Sequence, residues 1–355
     1  MVSTPADLRL NGVSKRYDET VAVAALDLYV EPGSLVSLLG PSGCGKTTTL
    51  RMVAGFETPD DGRIEIGGRD VTALPPHRRN LGMVFQNYSL FPHRTVAENI
   101  AFGPRMAGAS KNEQGEKVTR MLDMVQLQGR GEMFPSQLSG GQQQRIALAR
   151  SLAVNPQVLL LDEPLGALDK ALREEMQSEI REMQQRLGIT ALLVTHDQEE
   201  AMSMSDAIAV MKGGRILQMG SPTEVYDRPG TRFVATFLGT SNLVEGTVTA
   251  DGTALETPEG YVALPAPQAA GKQRTLSIRP ERVRLGAEVE GLPTRFEARI
   301  ATVMFRGSYA VYQLVLPRAE QGLVIHRQAD GAALQIGESV AVGWRAEDSV
   351  IVDTA

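Results

Sequence analysis

Gly40-Pro41-Ser42-Gly43-Cys44-Gly45-Lys46-Thr47-Thr48 decides how the chain is read. The stretch satisfies G-x-x-x-x-G-K-[ST], and its flanks are those the motif requires. Before it, Leu35-Val36-Ser37-Leu38-Leu39 reads as a buried strand. After it, Leu50, Val53 and Ala54 fall on one helical face, with Gly55 as a C-terminal stop. A glycine-rich turn between strand and helix points successive backbone N–H groups into one concavity, and the helix N-terminus adds positive potential. Such a concavity suits a polyphosphate, with Lys46 reaching the β- and γ-phosphates and the Thr47 hydroxyl offered to Mg²⁺. By itself the loop means a nucleotide and says nothing of what the nucleotide drives.

A chain of 355 residues exceeds one core of ordinary size, so two domains are expected. The formal net charge of −6 argues against a nucleic-acid surface. No stretch approaches the ~18 consecutive apolar residues of a spanning helix. The opening MVSTPADLRL has neither the basic nor the apolar region of a secretory signal. The single cysteine, Cys44, cannot form an internal disulfide and fits a reducing cytoplasm. Inside the phosphate loop it reads as a small tolerated residue rather than a catalytic thiol. These features point to a soluble cytoplasmic protein and leave docking on a membrane partner open.

Residues 7 to 39 read as strands and turns, including Asp7-Leu8-Arg9-Leu10 and Val21 to Val30. Tyr17 before the phosphate strand either stacks on an adenine or packs at the surface. Further strand candidates are Ile64-Glu65-Ile66-Gly67-Gly68-Arg69 and Leu81 to Phe85, the latter running into Gln86. From about 95 to 135 the pattern is helical, with Val118, Met121, Leu122 and Val125 on one apolar face. Ser139-Gly140-Gly141-Gln142 then opens a helix. It is a second small-residue loop at a helix N-terminus, which either binds an anion or is an ordinary serine cap.

Val158 to Leu161 is a buried strand that delivers Asp162 and Glu163, two carboxylates placed for a metal and for an attacking water. Asp169 caps a helix with apolar positions Leu172, Met176, Ile180, Met183 and Leu187; its other residues read as a solvated face. Ile189 to Thr195 is the next buried strand, ending at His196. A strand–helix–strand unit makes the two strands parallel. His196, Glu163 and the loop at 40–48 are therefore expected at one edge of the sheet, which gives the histidine a functional reading. From Leu243 onward the chain has only short strands, at 243–249, 274–279, 296–305, 308–316, 339–344 and 349–353, as in a small all-β barrel or sandwich. There His326 and Trp344 read as packing residues.

Together these motifs resemble the ATP-binding cassette (ABC) of transporters. GPSGCGKTT matches the Walker A element, VLLLDEP at 158–164 the Walker B, and LSGGQQQR at 138–145 the cassette signature. Gln86 matches the Q-loop, Ala167-Leu168-Asp169 the D-loop, Thr195-His196-Asp197 the switch histidine, and Tyr17 the adenine-stacking aromatic. Gly166 departs from the serine common before the D-loop alanine. The resemblance implies an α/β P-loop NTPase, a RecA-like core with antiparallel β and α-helical subdomains, over residues 1–239, with the helical subdomain at about 95–155. Residues 240–355 resemble the β-rich, OB-like TOBE domain, on Ser277-Ile278-Arg279-Pro280-Glu281 and Gly307-Ser308-Tyr309.

The resemblance also implies an ATPase that works as a head-to-tail homodimer on ATP and Mg²⁺. Lys46 and Thr47 would hold phosphate and metal, with Asp162 in the metal shell. Glu163 would polarise the water, and His196 would steady the γ-phosphate. Gln86 would link the metal to Tyr88 through Glu98, the region that receives a membrane subunit. Ser139, Gly140, Gly141 and Gln142 would face the partner copy's nucleotide, near Asp169. The implied role is the energising subunit of a bacterial importer, peripheral on the cytoplasmic face of the cell membrane, with permease subunits and, indirectly, a solute-binding protein. Phe233 to Asn242 and Glu245 to Val248 look most like the spermidine/putrescine branch; ferric-iron, sugar, phosphonate and sulfate importers are the alternatives. A soluble cassette ATPase of the repair kind is disfavoured because Lys46 and Asp162 lie in one compact domain, without an intervening coiled coil.

Overall fold

Every residue of the apolar run Leu35–Leu39 is buried, because the strand it forms has neighbours on both sides and packed layers on both faces. The computed structural model describes residues 5–166, 168–319, 322–329 and 334–353, so Ala167 of the expected D-loop lies outside the described residues. The chain divides into two compact units, Met1–Pro222 and Thr223–Ala355.

In chain order the first unit contains strands β1 (Leu8–Tyr17), β2 (Thr20–Val30), β3 (Leu35–Leu39), β4 (Asp61–Ile66), β5 (Arg69–Asp70), β6 (Leu81–Val84), β7 (Val158–Asp162), β8 (Thr190–Thr195), β9 (Ala207–Lys212) and β10 (Arg215–Gly220). Its α-helices are α1 (Lys46–Ala54), α2 (Val96–Met106), α3 (Lys111–Met124), α4 (Gly140–Leu152), α5 (Lys170–Leu187) and α6 (Gln198–Met204). The larger sheet runs β10-β9-β3-β8-β7-β6, parallel throughout except for β10. Leu39 is in register with Thr195, and Asp162 with Val194, so the carboxyl ends of β3, β7 and β8 open on the same edge. A smaller antiparallel sheet has the order β2-β1-β4-β5.

Alternate residues of the parallel strands feed different cores, the expected consequence of a period-two pleat. Leu159, Leu161, Ala191 and Leu193 pack toward the helical layer with Ile146, Met176 and Ile180. Leu38, Leu160, Leu192 and Val194 pack on the opposite side with Leu50 and Val53 of α1 and with the small sheet. The helical stretch after residue 95 consists of two helices, each opened by a full capping box, at Thr95 with Glu98 and at Ser110 with Glu113.

Two expectations are corrected here. The strand anticipated across residues 64–69 is broken by Gly67 (φ 57°) and Gly68 (φ 72°), which turn it into the β4–β5 hairpin. The polar side of α5 is not simply solvated: Gln177 and Gln184 are buried. The Gln184 amide donates to Gly33 O at 2.8 Å and Ile189 O at 2.6 Å. No helix among the described residues is long and apolar enough to cross a membrane.

The second unit includes α7 (Pro222–Asp227) but for its first residue, and α8 (Arg232–Phe237), then two five-stranded antiparallel sheets. One contains Asn242–Val248, Ala254–Thr257, Gly260–Ala263, Gln273–Ile278 and Ser349–Val352; the other Arg284–Leu285, Thr294–Phe305, Tyr309–Val315, Leu323–Gln328 and Ser339–Trp344. Trp344 is fully buried in their shared core and meets Phe296 edge-on at 5.9 Å. His326 is half-buried against the Tyr309 ring.

The sequence pattern changes near Gly239 to Asn242, yet the compact unit begins at Thr223, and Arg279 supplies the reason. Its guanidinium donates to Tyr226 O at 2.7 and 3.0 Å, Ala235 O at 2.8 Å and Thr240 O at 3.2 Å, and lies 3.9 Å over the Tyr226 ring. One buried cation thus ties the two short helices to the strands. Arg279→Met leaves those carbonyls unanswered, and roughly 3 kcal/mol of stability should be lost. Thermal unfolding of the full chain should record it as a lowered Tm for the second unit.

Candidate functional site

The phosphate-type loop is hemmed by its neighbours. Gly45 caps α1 in the left-handed conformation (φ 105°), and a Cβ there would lie 2.3 Å from Ala22 O. At Gly40 a Cβ would lie 2.4 Å from Met211 O, so β2 and β9 exclude a side chain from both ends of the loop. Gly214 N donates to Cys44 O at 3.0 Å and fixes the middle. Pro41, Ser42 and Gly43 are exposed, Cys44 is buried, and Thr47 and Thr48 are half-buried in the first turn of α1. The Lys46 side chain curls back over the loop: Nζ donates to Gly40 O at 2.7 Å and Pro41 O at 3.0 Å, with Cys44 Sγ at 3.8 Å. Tyr17 is exposed at the end of the β1–β2 hairpin, the same hairpin whose Ala22 bounds Gly45.

At the end of β7, burial and then the neighbouring charge of Glu163 push the Asp162 carboxyl above its ordinary range, against an opposing pull from Arg51. Glu163 takes a left-handed backbone (φ 44°), rare for a residue with a long side chain, while its N–H donates to Val194 O at 2.9 Å. The chain leaves the sheet sharply there and presents the carboxylate at the edge. Gln86 Nε2 donates to Glu163 Oε2 at 3.1 Å, and His196 Nδ1 lies 3.1 Å from Oε1. Loops that follow β6, β7 and β8 thus meet on one carboxylate. The His196 side chain is 61% exposed against 21% for Glu163, so the imidazole shields the carboxylate and faces outward itself. A Cβ at Gly166 would lie 4.0 Å from the Gln86 amide and 3.6 Å from Glu163 O, ordinary contacts that would accept a serine.

The loop bearing His196 is secured from below. Asp197 caps α6, accepting from the N–H groups of Glu199 at 2.9 Å and Glu200 at 3.2 Å. It also takes Arg173 Nη1 at 3.1 Å, while Arg173 Nη2 donates to Leu168 O at 3.0 Å. Arg173, assigned from sequence to a solvated face, therefore joins the start of α5 to the histidine loop. Ser139 and Gln142 cap α4 reciprocally, at 3.4 and 3.1 Å, and Asp169 caps α5 by accepting from Leu172 N at 3.0 Å. Gly140 is exposed and Gly141 packs on Leu172. Their hydrogen bonds are local, and none joins Ser139 or Gln142 to residues 40–48 among the described residues. Sequence reasoning also passed over Gln144, fully buried with both amide atoms unpartnered among the described residues.

Comparison with known proteins now decides the family. The model of the ABC transporter family matches residues 23–166, and that of the TOBE domain residues 276–352. The spermidine/putrescine import ATP-binding protein PotA of Rubrobacter xylanophilus is 47% identical over 98% of this chain and 94% of that protein. The chain belongs to the ABC transporter family. The Fe(3+) ions import ATP-binding protein FbpC of Brucella abortus is 44% identical over 98% of each chain. A solved structure, the dimeric post-hydrolysis state of the ATP-binding cassette MJ0796 bound to ADP and Pi, aligns with TM-score 0.54 and 31% identity over 61% of this chain and 98% of that one. This ABC protein is thus an ATP-binding ATPase whose hydrolysis is coupled to transport.

Behind the histidine of this ABC ATPase lies Glu200, buried, with one carboxyl oxygen held by the Thr195 hydroxyl and the other unpartnered among the described residues. Burial pushes its carboxyl up to about 7; the Thr195 hydrogen bond opposes and Asp197 adds to the rise. The folded chain therefore keeps a proton that the unfolded chain releases above about 4.5. Stability falls as pH rises between those values and levels off above the upper one. Glu200→Gln should remove this slope. Denaturant titrations should find the variant more stable than the parent by on the order of 3 kcal/mol near pH 8, with the gap closing toward pH 4.

Proposed function

We propose that the chain energises a bacterial importer, binding ATP between two copies arranged head to tail and hydrolysing it at Glu163. The observation that carries this is the Glu163 carboxylate held between Gln86 and His196, at the sheet edge where the Lys46 loop opens. Lys46 exchanges its two loop carbonyls for phosphate oxygens, which the exposed rim of the loop leaves within its reach. Tyr17 stacks on the adenine, while residues 40–48 supply N–H groups to the phosphates. Glu163 accepts a proton from the attacking water, with Gln86 and His196 fixing its orientation. Ser139, Gly140, Gly141 and Gln142 offer the start of α4 to the phosphate held by the other copy, beside Asp169.

The donors near the loop fit Mg²⁺. One half-buried carboxylate, one threonine hydroxyl and one amide oxygen are too few for an all-protein cage, and they suit a hard cation that keeps water and phosphate oxygens. Asp162, its carboxyl raised by burial, gains from a cation beside it; Thr47 and Gln86 complete the protein's share. When bound, Mg²⁺ supplies charge neutralisation at the phosphates.

A groove beside Gln86, lined by Phe56, Phe85, Phe91, Phe102 and Val154, offers an apolar seat for a short helix of a permease subunit. Such a seat supports a peripheral position on the cytoplasmic face of the cell membrane. The relatives named as spermidine/putrescine import ATP-binding proteins favour polyamines as the solute; the iron-import relative, aligned over 98% of its length, supports ferric iron as a second reading.

Glu163→Gln should bind ATP and dimerise normally while kcat falls by roughly 10²-fold or more. ATP turnover beside gel filtration checks this, and a normal rate would remove the general-base assignment. With permease and binding protein in liposomes, spermidine should raise ATP turnover several-fold. Stimulation by ferric iron alone would transfer the assignment to iron.

A further inference from the structure

The geometry points to Arg150 as a positioning residue that ties α4 to the Gln86 loop and so sets Gln86 against Glu163. Arg150 lies in the last turn of α4, the helix that Ser139 opens. Its guanidinium donates from Nη2 to Tyr88 O at 3.0 Å and from Nη1 to Ser89 O at 2.6 Å. Both acceptors belong to consecutive non-glycine residues with left-handed backbones, φ 58° and 51°. Such a pair is strained and persists only when its surroundings enforce it. The enforcement here is a planar fork with one donor to each carbonyl, a geometry that a lysine ammonium does not reproduce.

The guanidinium has no carboxylate partner among the described residues. Carbonyl dipoles and the Phe91 ring, 5.7 Å away, are what answer its charge, and burial lowers its proton affinity from the usual arginine value. The contact is close along its length. β6, which leads into the loop, presses on the same end of α4, where a Cβ at Gly82 would lie 2.6 Å from Ser151 O. Tyr88 is buried, its hydroxyl unpartnered among the described residues, so its side chain rests on the core by packing. Two residues before Tyr88, the Gln86 amide donates to Glu163. A displacement at the Ser139 end of α4, a rigid helix of three to four turns, therefore reaches the Gln86 loop through the Arg150 fork, beside the packing of β6.

The inference rests on the assignment of Gln86 to hydrolysis, and a double-mutant cycle on the full-length chain separates the two. We expect Arg150→Lys to lower kcat about ten-fold with KM for ATP within two-fold of the parent, and Gln86→Ala to lower kcat as well. In the double variant the two losses should not multiply, because Arg150 acts through Gln86. Multiplicative losses would overturn the role of Arg150 and leave Gln86 in place. A normal kcat for Gln86→Ala would remove the assignment of Gln86 itself, and with it this inference. Hydrogen exchange on the unaltered chain needs no variant to fold: amides of residues 88–91 and 140–152 should gain protection together on adding ATP. Protection of one segment without the other would overturn the link.

Discussion

The Glu163 carboxylate depends on three strand ends arriving at one edge of a parallel sheet. That arrival is a matter of register rather than of local attraction. Leu39 lies beside Thr195 and Val194 beside Asp162, and a slip of one residue would turn every apolar side chain of those strands to the wrong core. Two separate apolar layers, one formed with the helices and one with α1 and the small sheet, resist such a slip from both faces. The precision of the polar site is thus a product of hydrophobic packing beneath it.

In each unit the same device secures irregular segments: a guanidinium withdrawn from solvent and answered by backbone carbonyls. Arg79 donates to Met52 O at 2.6 Å and Val53 O at 2.9 Å, closing the end of α1. Arg150 holds the loop after β6, and Arg279 the helices of the second unit. An arginine keeps its proton even when buried, so each is a permanent charge whose desolvation must be offset locally. Carbonyl oxygens at helix ends and irregular turns are the acceptors left over by regular structure. Pairing the two satisfies both at once and fixes irregular backbone with no carboxylate partner among the described residues.

Much of the parallel sheet was legible because its strands are buried on both faces and read as continuous apolar runs between breakers. The site's placement followed from topology: once 158–162 and 190–195 are parallel neighbours, Glu163 and His196 must emerge together. What escaped was polar and long-range. Arg173, Gln177, Arg181 and Gln184 run along α5 one position behind its apolar stripe, a spacing that puts them on the flank of the buried face rather than in solvent. Helical periodicity could have flagged that stripe, but a residue's partner on another strand or loop leaves no local mark. The hairpin at residues 61–70 was missed for the opposite reason. Gly67-Gly68 is a strong turn signal, and the alternation around it drowned it out.

Trp344 carries one more consequence. It is the chain's single tryptophan, sealed in the core between the two sheets of the second unit, with its indole N–H unpartnered among the described residues. Buried indoles emit at shorter wavelength than hydrated ones, so intrinsic emission from this protein reports on the β-rich unit. The nucleotide-binding unit has no indole of its own. Loss of the blue emission marks opening of the second unit whether or not the ATPase core is intact, and an optical label already separates the two halves of the chain.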